Sequence, residues 1–258
     1  MKRLGINQGR YHGQGVAVGE YLREFHEAAH ARGWSSEKFA TIDEFDLHGY
    51  RRGPENAARA IYLSTGIHGD EPAGAVALRR CVEEDLWPAD TRFILCPCIN
   101  PTGLAAVTRE NKDGVDLNRD YRDPQTAEVC AHSAWVLSLP PVNVALLLHE
   151  DWEAEGYYVY EVNPHSVPSL APRIIEAVRE ICPIQGDAKV DGLWDCIDGV
   201  IHPHLKPDER PKWAEAVYLS VHKARQTLTL EAPSDFPLEF RVEAHVRAVN
   251  AALKRFKK

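Results

Sequence analysis

The chain has 258 residues, a formal net charge of −8, and an ordinary balance of 44% hydrophobic and 26% charged residues with no repeat or low-complexity tract. That length supports one α/β domain with a sizeable core, and no linker divides it, so a single domain over 1–258 is expected. The acidic balance argues against non-specific binding to nucleic acid or to an anionic membrane, which leaves a small solute or short peptide as the expected partner; the oligomeric state is not legible.

The opening MKRLGINQGRYHG lacks the apolar core of a signal peptide. No stretch approaches the roughly 18 apolar residues of a membrane span, so a cytoplasmic location is expected. A helix is predicted near 16–32, with HEAAH (His26 to His30) inside it. This matches the H-E-x-x-H of zinc proteases. Gly33 continues the longer form, but Ser36 stands where its last histidine belongs, so the third ligand is missing.

Apolar runs rich in β-branched and aromatic residues then alternate with helical periodicity, the pattern of an α/β sheet with parallel strands. Strands are predicted near 40–47, 59–65, 91–98, 143–149, 157–162 and 226–231, and helices near 71–86, 125–139, 169–181 and 237–257. The last helix follows Pro237, with Phe240, Val242, Val246, Val249 and Leu253 on one side. Residues 183–225 carry several prolines and glycines and are expected to form short strands and loops. Cys81, Cys96, Cys98, Cys130, Cys182 and Cys196 lie among apolar neighbours and read as reduced, buried thiols. The pair Cys96 and Cys98 has no second pair at zinc-finger spacing.

TGIHGDEPAG (65–74) sits where a plain turn would join a strand to a helix. Gly66 and Gly69 can make that turn, and Asp70 or Glu71 can favour the helix N-terminus. A second account makes His68 and Glu71 metal ligands. Four fragments favour it by falling at the carboxyl ends of predicted strands, where sites assemble in open α/β sheets: His68 with Glu71, NPTG (100–103), His149 and Glu231. Catalytic zinc commonly takes two histidines and a carboxylate, the set His68, Glu71 and His149, and leaves one position for water. A nearby carboxylate must take up the proton of that water, and Glu231, ending the buried run TLTL, is the candidate base. In TRENKDGVDLNRDY (108–121), Arg109 can steady an oxyanion, and Asn118 and Arg119 can clamp a substrate carboxylate.

The order HGDE, NPTG, Arg109 with Asn118 and Arg119, a strand-terminal His149, and Glu231 in TLEAPS resembles the zinc carboxypeptidase family related to carboxypeptidase A, over about residues 59 to 235. The resemblance implies a three-layer α/β/α fold with a mixed, mostly parallel sheet of about eight strands. It also implies one Zn2+ per chain on His68, Glu71 and His149. Arg109 would polarise the scissile carbonyl, Asn118 and Arg119 would hold the terminal carboxylate, and Glu231 would act as base. The tyrosine that covers substrate in digestive members has no motif-marked counterpart; Tyr218 is the candidate stand-in. Glu150 and Asp151 follow His149 where a serine is common. Glu150 is next in line as base, and the run Glu150, Asp151, Glu153 and Glu155 would favour a cationic group if it lines the cleft.

The expected function is therefore a zinc-dependent metallocarboxypeptidase that hydrolyses an amide bond next to a free carboxylate on a short peptide. The alternative is an N-acyl amino acid deacylase of the succinylglutamate desuccinylase and aspartoacylase type. Those relatives typically carry a further C-terminal domain and lack the NPTG form. A non-catalytic zinc or carboxylate-binding module is the third candidate, but such a module would be expected to have lost Glu231.

Overall fold

Three runs without polar alternation, AIYLST, RFILC and the LLL of VALLLHED, have the pattern of strands covered on both faces. In the computed structural model, which describes residues 2–255 except 187, 191 and 205, they form the centre of the sheet. The elements in chain order are α1 (Val18–Ala31), β1 (Ser35–Ile42), β2 (Phe45–Arg52), β3 (Ala60–Thr65), α2 (Pro72–Glu84), β4 (Arg92–Cys96), α3 (Pro101–Ala106) and α4 (Ala127–Ser138). There follow β5 (Val144–Asp151), β6 (Tyr158–Val162), α5 (Ala171–Arg179), β7 (Ala188–Val190), β8 (Trp194–Ile197), β9 (Val200–Ile201), α6 (Glu215–His222), β10 (Thr227–Pro233) and α7 (Leu238–Lys254).

Among the described residues one sheet of ten strands runs β1-β2-β4-β3-β5-β10-β6-β9-β8-β7. The pairs β4-β3, β3-β5, β5-β10 and β6-β9 are parallel. The pairs β1-β2, β2-β4, β10-β6, β9-β8 and β8-β7 are antiparallel. The α/β expectation holds, but the sheet is larger than eight strands and only four of its nine pairings are parallel, three of them at the centre. Both differences arise at the edges. The single strand expected near 40–47 is a hairpin, β1 and β2, turning at Asp43 with φ 50°. The proline-rich stretch contributes the short strands β7 to β9. It also contains α6, which was not expected, and α3 was missed because six residues are too few to show a helical period.

Strand periodicity makes the layers. Ile61, Leu63, Phe93, Leu95, Leu146 and Leu148 pack in one cluster with side chains of α1, α2, α5 and α7. Their neighbours Tyr62, Ile94, Ala145 and Leu147 pack in another with α4 and α6. His149 follows Ala145 and Leu147 at spacing two, so it emerges on the α4 and α6 side at the end of β5. Glu231 stands beside it, in register across the parallel β5-β10 pair. No helix of the described residues is long and apolar enough to cross a membrane. Five cysteines are buried free thiols as expected, whereas Cys130 on α4 is exposed.

Candidate metal centre and cleft

The HGDE loop is shaped by its contact with NPTG. The carbonyl of Gly66, at φ 67°, accepts the N–H groups of Ile99 (3.2 Å) and Asn100 (2.8 Å). A Cβ on Gly69 would lie 1.9 Å from the carbonyl carbon of Gly103, so only glycine permits this approach. Asn100 caps α3 by accepting from the Gly103 N–H at 2.8 Å, and its amide group donates to the carbonyl of Ile67 at 3.2 Å. NPTG is thus the platform that holds the His68 loop.

Glu71 occupies the N-cap position of α2 but makes no capping hydrogen bond. Its carboxylate is shared between the two histidines instead, with His68 Nδ1 at 2.6 Å from Oε1 and His149 Nδ1 at 2.8 Å from Oε2. The Glu150 N–H donates to the same Oε2 at 3.1 Å. All three side chains are buried, and one ligand atom from each lies within 4.8 Å of the others. Burial by itself would suppress charge here. It is overridden at His68, which the Glu71 and Asp116 carboxylates push up to about 9. It is overridden at Glu71 too, which the two imidazoles hold well below the usual carboxylate range. A buried carboxylate that draws protons onto two imidazoles marks a place that accommodates positive charge. Two imidazoles and a carboxylate form the donor set that suits zinc.

Behind the ligands, His149 is oriented from its backbone: His245 donates from Nε2 to the His149 carbonyl at 3.0 Å and accepts at Nδ1 from the Tyr157 hydroxyl at 3.2 Å. Burial pushes His245 down to about 3, which keeps this neutral arrangement.

Asp116, which no motif had marked, organises the facing loop. Its carboxylate takes Arg109 Nε at 3.0 Å, lies 3.2 Å from His68 Nε2, and accepts the Asn118 N–H at 2.9 Å. Arg109 is thereby held 3.7 Å from Glu71. The Asn118 Oδ1 accepts the N–H of Glu215 at 2.8 Å, so its amide donors are left for other use. Arg119 is exposed and donates to the Asn118 carbonyl at 2.8 Å.

His68, Glu71, Arg109, Asn118, Arg119 and His149 line one cleft of about 620 Å³, together with Tyr11, Tyr158, Trp194 and Arg210, which the sequence had not singled out. Glu231 lines it with its carboxyl pushed up to about 8, chiefly by burial. Asp70 is raised to about 6 by burial and by Glu71 beside it.

Three expectations are corrected, and the rejection of HEAAH as a metal site stands. Tyr218 is buried under α4, where its hydroxyl donates to the Ser133 carbonyl at 3.3 Å, and it does not reach the cleft. Glu150 is buried in an ion pair with Arg241 and has no free carboxylate to act as base. Glu155 is not a cleft acid but an exposed partner of Arg3 at 3.3 Å; Asp151, half-buried and holding the Tyr158 hydroxyl at 2.9 Å, and the exposed Glu153 line the cleft. HEAAH stays a surface helix: Glu27 pairs with Arg23 at 2.9 Å, and His26 and His30 turn to Tyr50 and Ser36. Among the described residues only His68, Glu71 and His149 bring ligand atoms close enough for one ion.

Known structures resemble this one along nearly the whole chain. A protein of Shewanella amazonensis described as a candidate metallopeptidase superposes with a TM-score of 0.82 at 22% identity, covering 93% of this chain and 94% of its own. The metallo-carboxypeptidase of Pseudomonas aeruginosa in complex with (2-guanidinoethylmercapto)succinic acid gives 0.68 at 17% identity, covering 94% of this chain and 69% of its own. The fold is that of the metallo-carboxypeptidases. The resemblance to the zinc carboxypeptidase family therefore extends from motif order to three dimensions. Residues 20–138 match the family model described as a protein of unknown function, DUF2817. Murein peptide amidase A of Escherichia coli K12 is 41% identical over 68 residues, which span 26% of this chain and 28% of that protein. The chain thus aligns with little more than a quarter of that relative.

Proposed function

We propose that the protein is a zinc-dependent metallocarboxypeptidase that hydrolyses an amide bond next to a free carboxylate on a short peptide. The observation that carries this reading is the convergence, in one cleft, of three buried ligand side chains with a carboxyl and an arginine that have no partner of opposite charge in hydrogen-bonding contact among the described residues, Glu231 and Arg119. A zinc ion on His68, Glu71 and His149 would supply a Lewis acid and lower the pKa of its water. Glu231, one strand away from His149 and favoured in its ionised form by the charge of a bound zinc, would take up the proton from the attacking water and return it to the leaving amine. Arg109, fixed by Asp116 beside the ligands, would donate to the developing oxyanion. The free amide donors of Asn118 and the exposed guanidinium of Arg119 would grip the terminal carboxylate.

The cleft volume suits a ligand of a few residues. A relative named for acting on murein peptides, and a structural neighbour that holds a succinic acid derivative, support a small carboxylate-bearing peptide. The test is turnover by zinc-loaded protein on matched free-acid and amidated peptides, with N-acyl amino acids alongside. Release of amino acid from the free acids and not the amides is expected. Equal cleavage of the amides overturns the carboxylate requirement, and turnover confined to the N-acyl amino acids gives the deacylase reading instead.

A further inference from the structure

Behind the ligand cluster lies an ion pair, Glu150 and Arg241, that the proposed chemistry does not use. Both residues are buried, at 4% and 2% exposure. The Glu150 carboxylate accepts from Arg241 and also from the N–H of Ala73 at 2.6 Å, two residues beyond Glu71. The backbone N–H of Glu150 holds Glu71 itself, at 3.1 Å. Arg241 donates its other hydrogens to the Phe236 carbonyl (2.8 Å) and to the Tyr11 hydroxyl (3.0 Å), which donates onward to the Gln14 carbonyl at 2.9 Å.

The ion pair therefore ties together four segments. They are the end of β5 with His149, the start of α2 after Glu71, the turn after β10 and Glu231, and the N-terminal stretch whose Tyr11 lines the cleft. Removing two charges from water is costly, and apolar side chains of similar volume commonly support a fold as well as a buried ion pair does, or better. A leucine and a methionine could fill the same space. They could not make the four hydrogen bonds that these two side chains form with each other, the Ala73 N–H, the Phe236 carbonyl and the Tyr11 hydroxyl.

We propose that the Arg241–Glu150 pair is a positioning device that sets the spacing of Glu71 and His149, and through it the affinity of the cluster for a divalent metal. It rests on the proposed function only in taking that cluster as a metal site. Glu150 and Arg241 are positioning residues: they act through the ligands and touch no substrate.

The test compares the double variant Glu150→Leu with Arg241→Met, and the single variant Arg241→Lys, with the wild-type full chain, using zinc as the probe. Thermal unfolding of the zinc-free double variant is expected within a few degrees of wild type. Its zinc Kd, read by competition with a chromophoric chelator, should rise roughly 10–100-fold, the range seen when outer partners of metal ligands are lost. Arg241→Lys keeps the charge but cannot bridge Glu150, Phe236 and Tyr11 at once, and should weaken zinc about tenfold. A Kd within twofold of wild type in both variants overturns the proposal and leaves the enzymatic reading standing. If the double variant does not fold, Arg241→Lys decides on the same scale; if neither folds, the pair is structural and the proposal fails. Wild-type protein that binds no zinc overturns the enzymatic reading itself, a result distinct from all of these.

Discussion

His68 in the tight loop after β3, Glu71 at the N-cap of α2 and His149 near the end of β5 are all buried, whereas Arg109, Asn118 and Arg119 ride on a loop that has only one short 3-10 turn. The first group is fixed by parallel pairing on both sides and by the tight contact of Gly69 with Gly103. The second is fixed by side chains: Asp116 grips Arg109 and the Asn118 backbone, and the Glu215 N–H grips the Asn118 amide. The two halves of one cleft thus have different mechanical supports. The ligand half should respond to substitution in an all-or-none manner, and the substrate half in graded steps.

The largest effect is expected on the ligand half. His68→Ala removes a ligand outright, so its zinc Kd should rise by more than the roughly 100-fold that loss of an outer partner produces. Undiminished zinc in the purified variant, measured by elemental analysis, would place the metal elsewhere. Glu231→Gln comes next, because it removes a proton acceptor while nearly preserving shape. It should keep its zinc and lose turnover by roughly 10²- to 10⁴-fold. Near-normal turnover would mean that another group activates the water, and Glu150 is ruled out by its burial against Arg241.

On the loop half, Arg119→Lys replaces a planar fork with a point charge. Loss of a charge-assisted bond of about 1.5–3 kcal/mol would raise KM roughly 10–100-fold and leave kcat nearly intact. A fall in kcat with unchanged KM would show that Arg119 acts in the transition state and not as a ground-state anchor. That outcome would blur the contrast between the halves.

The same contrast explains what was legible. His149 and the base Glu231 stand out in sequence because a histidine or glutamate ending an apolar strand has no packing reason to be there, as at LLLHE and TLTLE. Parallel central strands are long, apolar and bounded by turns, so β3, β4, β5 and β10 could be located. Asp116 was hidden in a charged loop where each acid looks solvated, and Tyr11 and Arg210 reach the cleft only through tertiary contacts. The antiparallel edges were hidden for another reason. The strand β9 spans two residues and β7 three, too short for any periodicity to register, and the one strand read near 40–47 straddles the turn of a hairpin.

The smallest expected effect concerns stability, and it lies behind the loop half. His132 is fully buried between two tyrosines, with Nε2 at 2.8 Å from the Tyr62 hydroxyl and Nδ1 at 2.7 Å from that of Tyr121. Tyr62 donates to Glu215 at 3.0 Å, which makes the histidine Nε2 a donor and Nδ1 an acceptor, the neutral form. Burial holds its pKa down to about 3, against about 6.5 for an unperturbed imidazole. The folded state therefore refuses a proton that the unfolded chain accepts. This contribution to stability is complete above about pH 6.5 and declines as pH falls toward 3, by at most about 1.4 kcal/mol per pH unit. His245, also held near 3 by burial, adds the same slope behind His149. His132→Gln retains one donor and one acceptor without titrating, so the fall in Tm between pH 7 and pH 5 should shrink by up to half. An unchanged acid slope in that variant would mean that groups other than these buried imidazoles govern the acid limb, and that the loop wall is not anchored through a neutral His132.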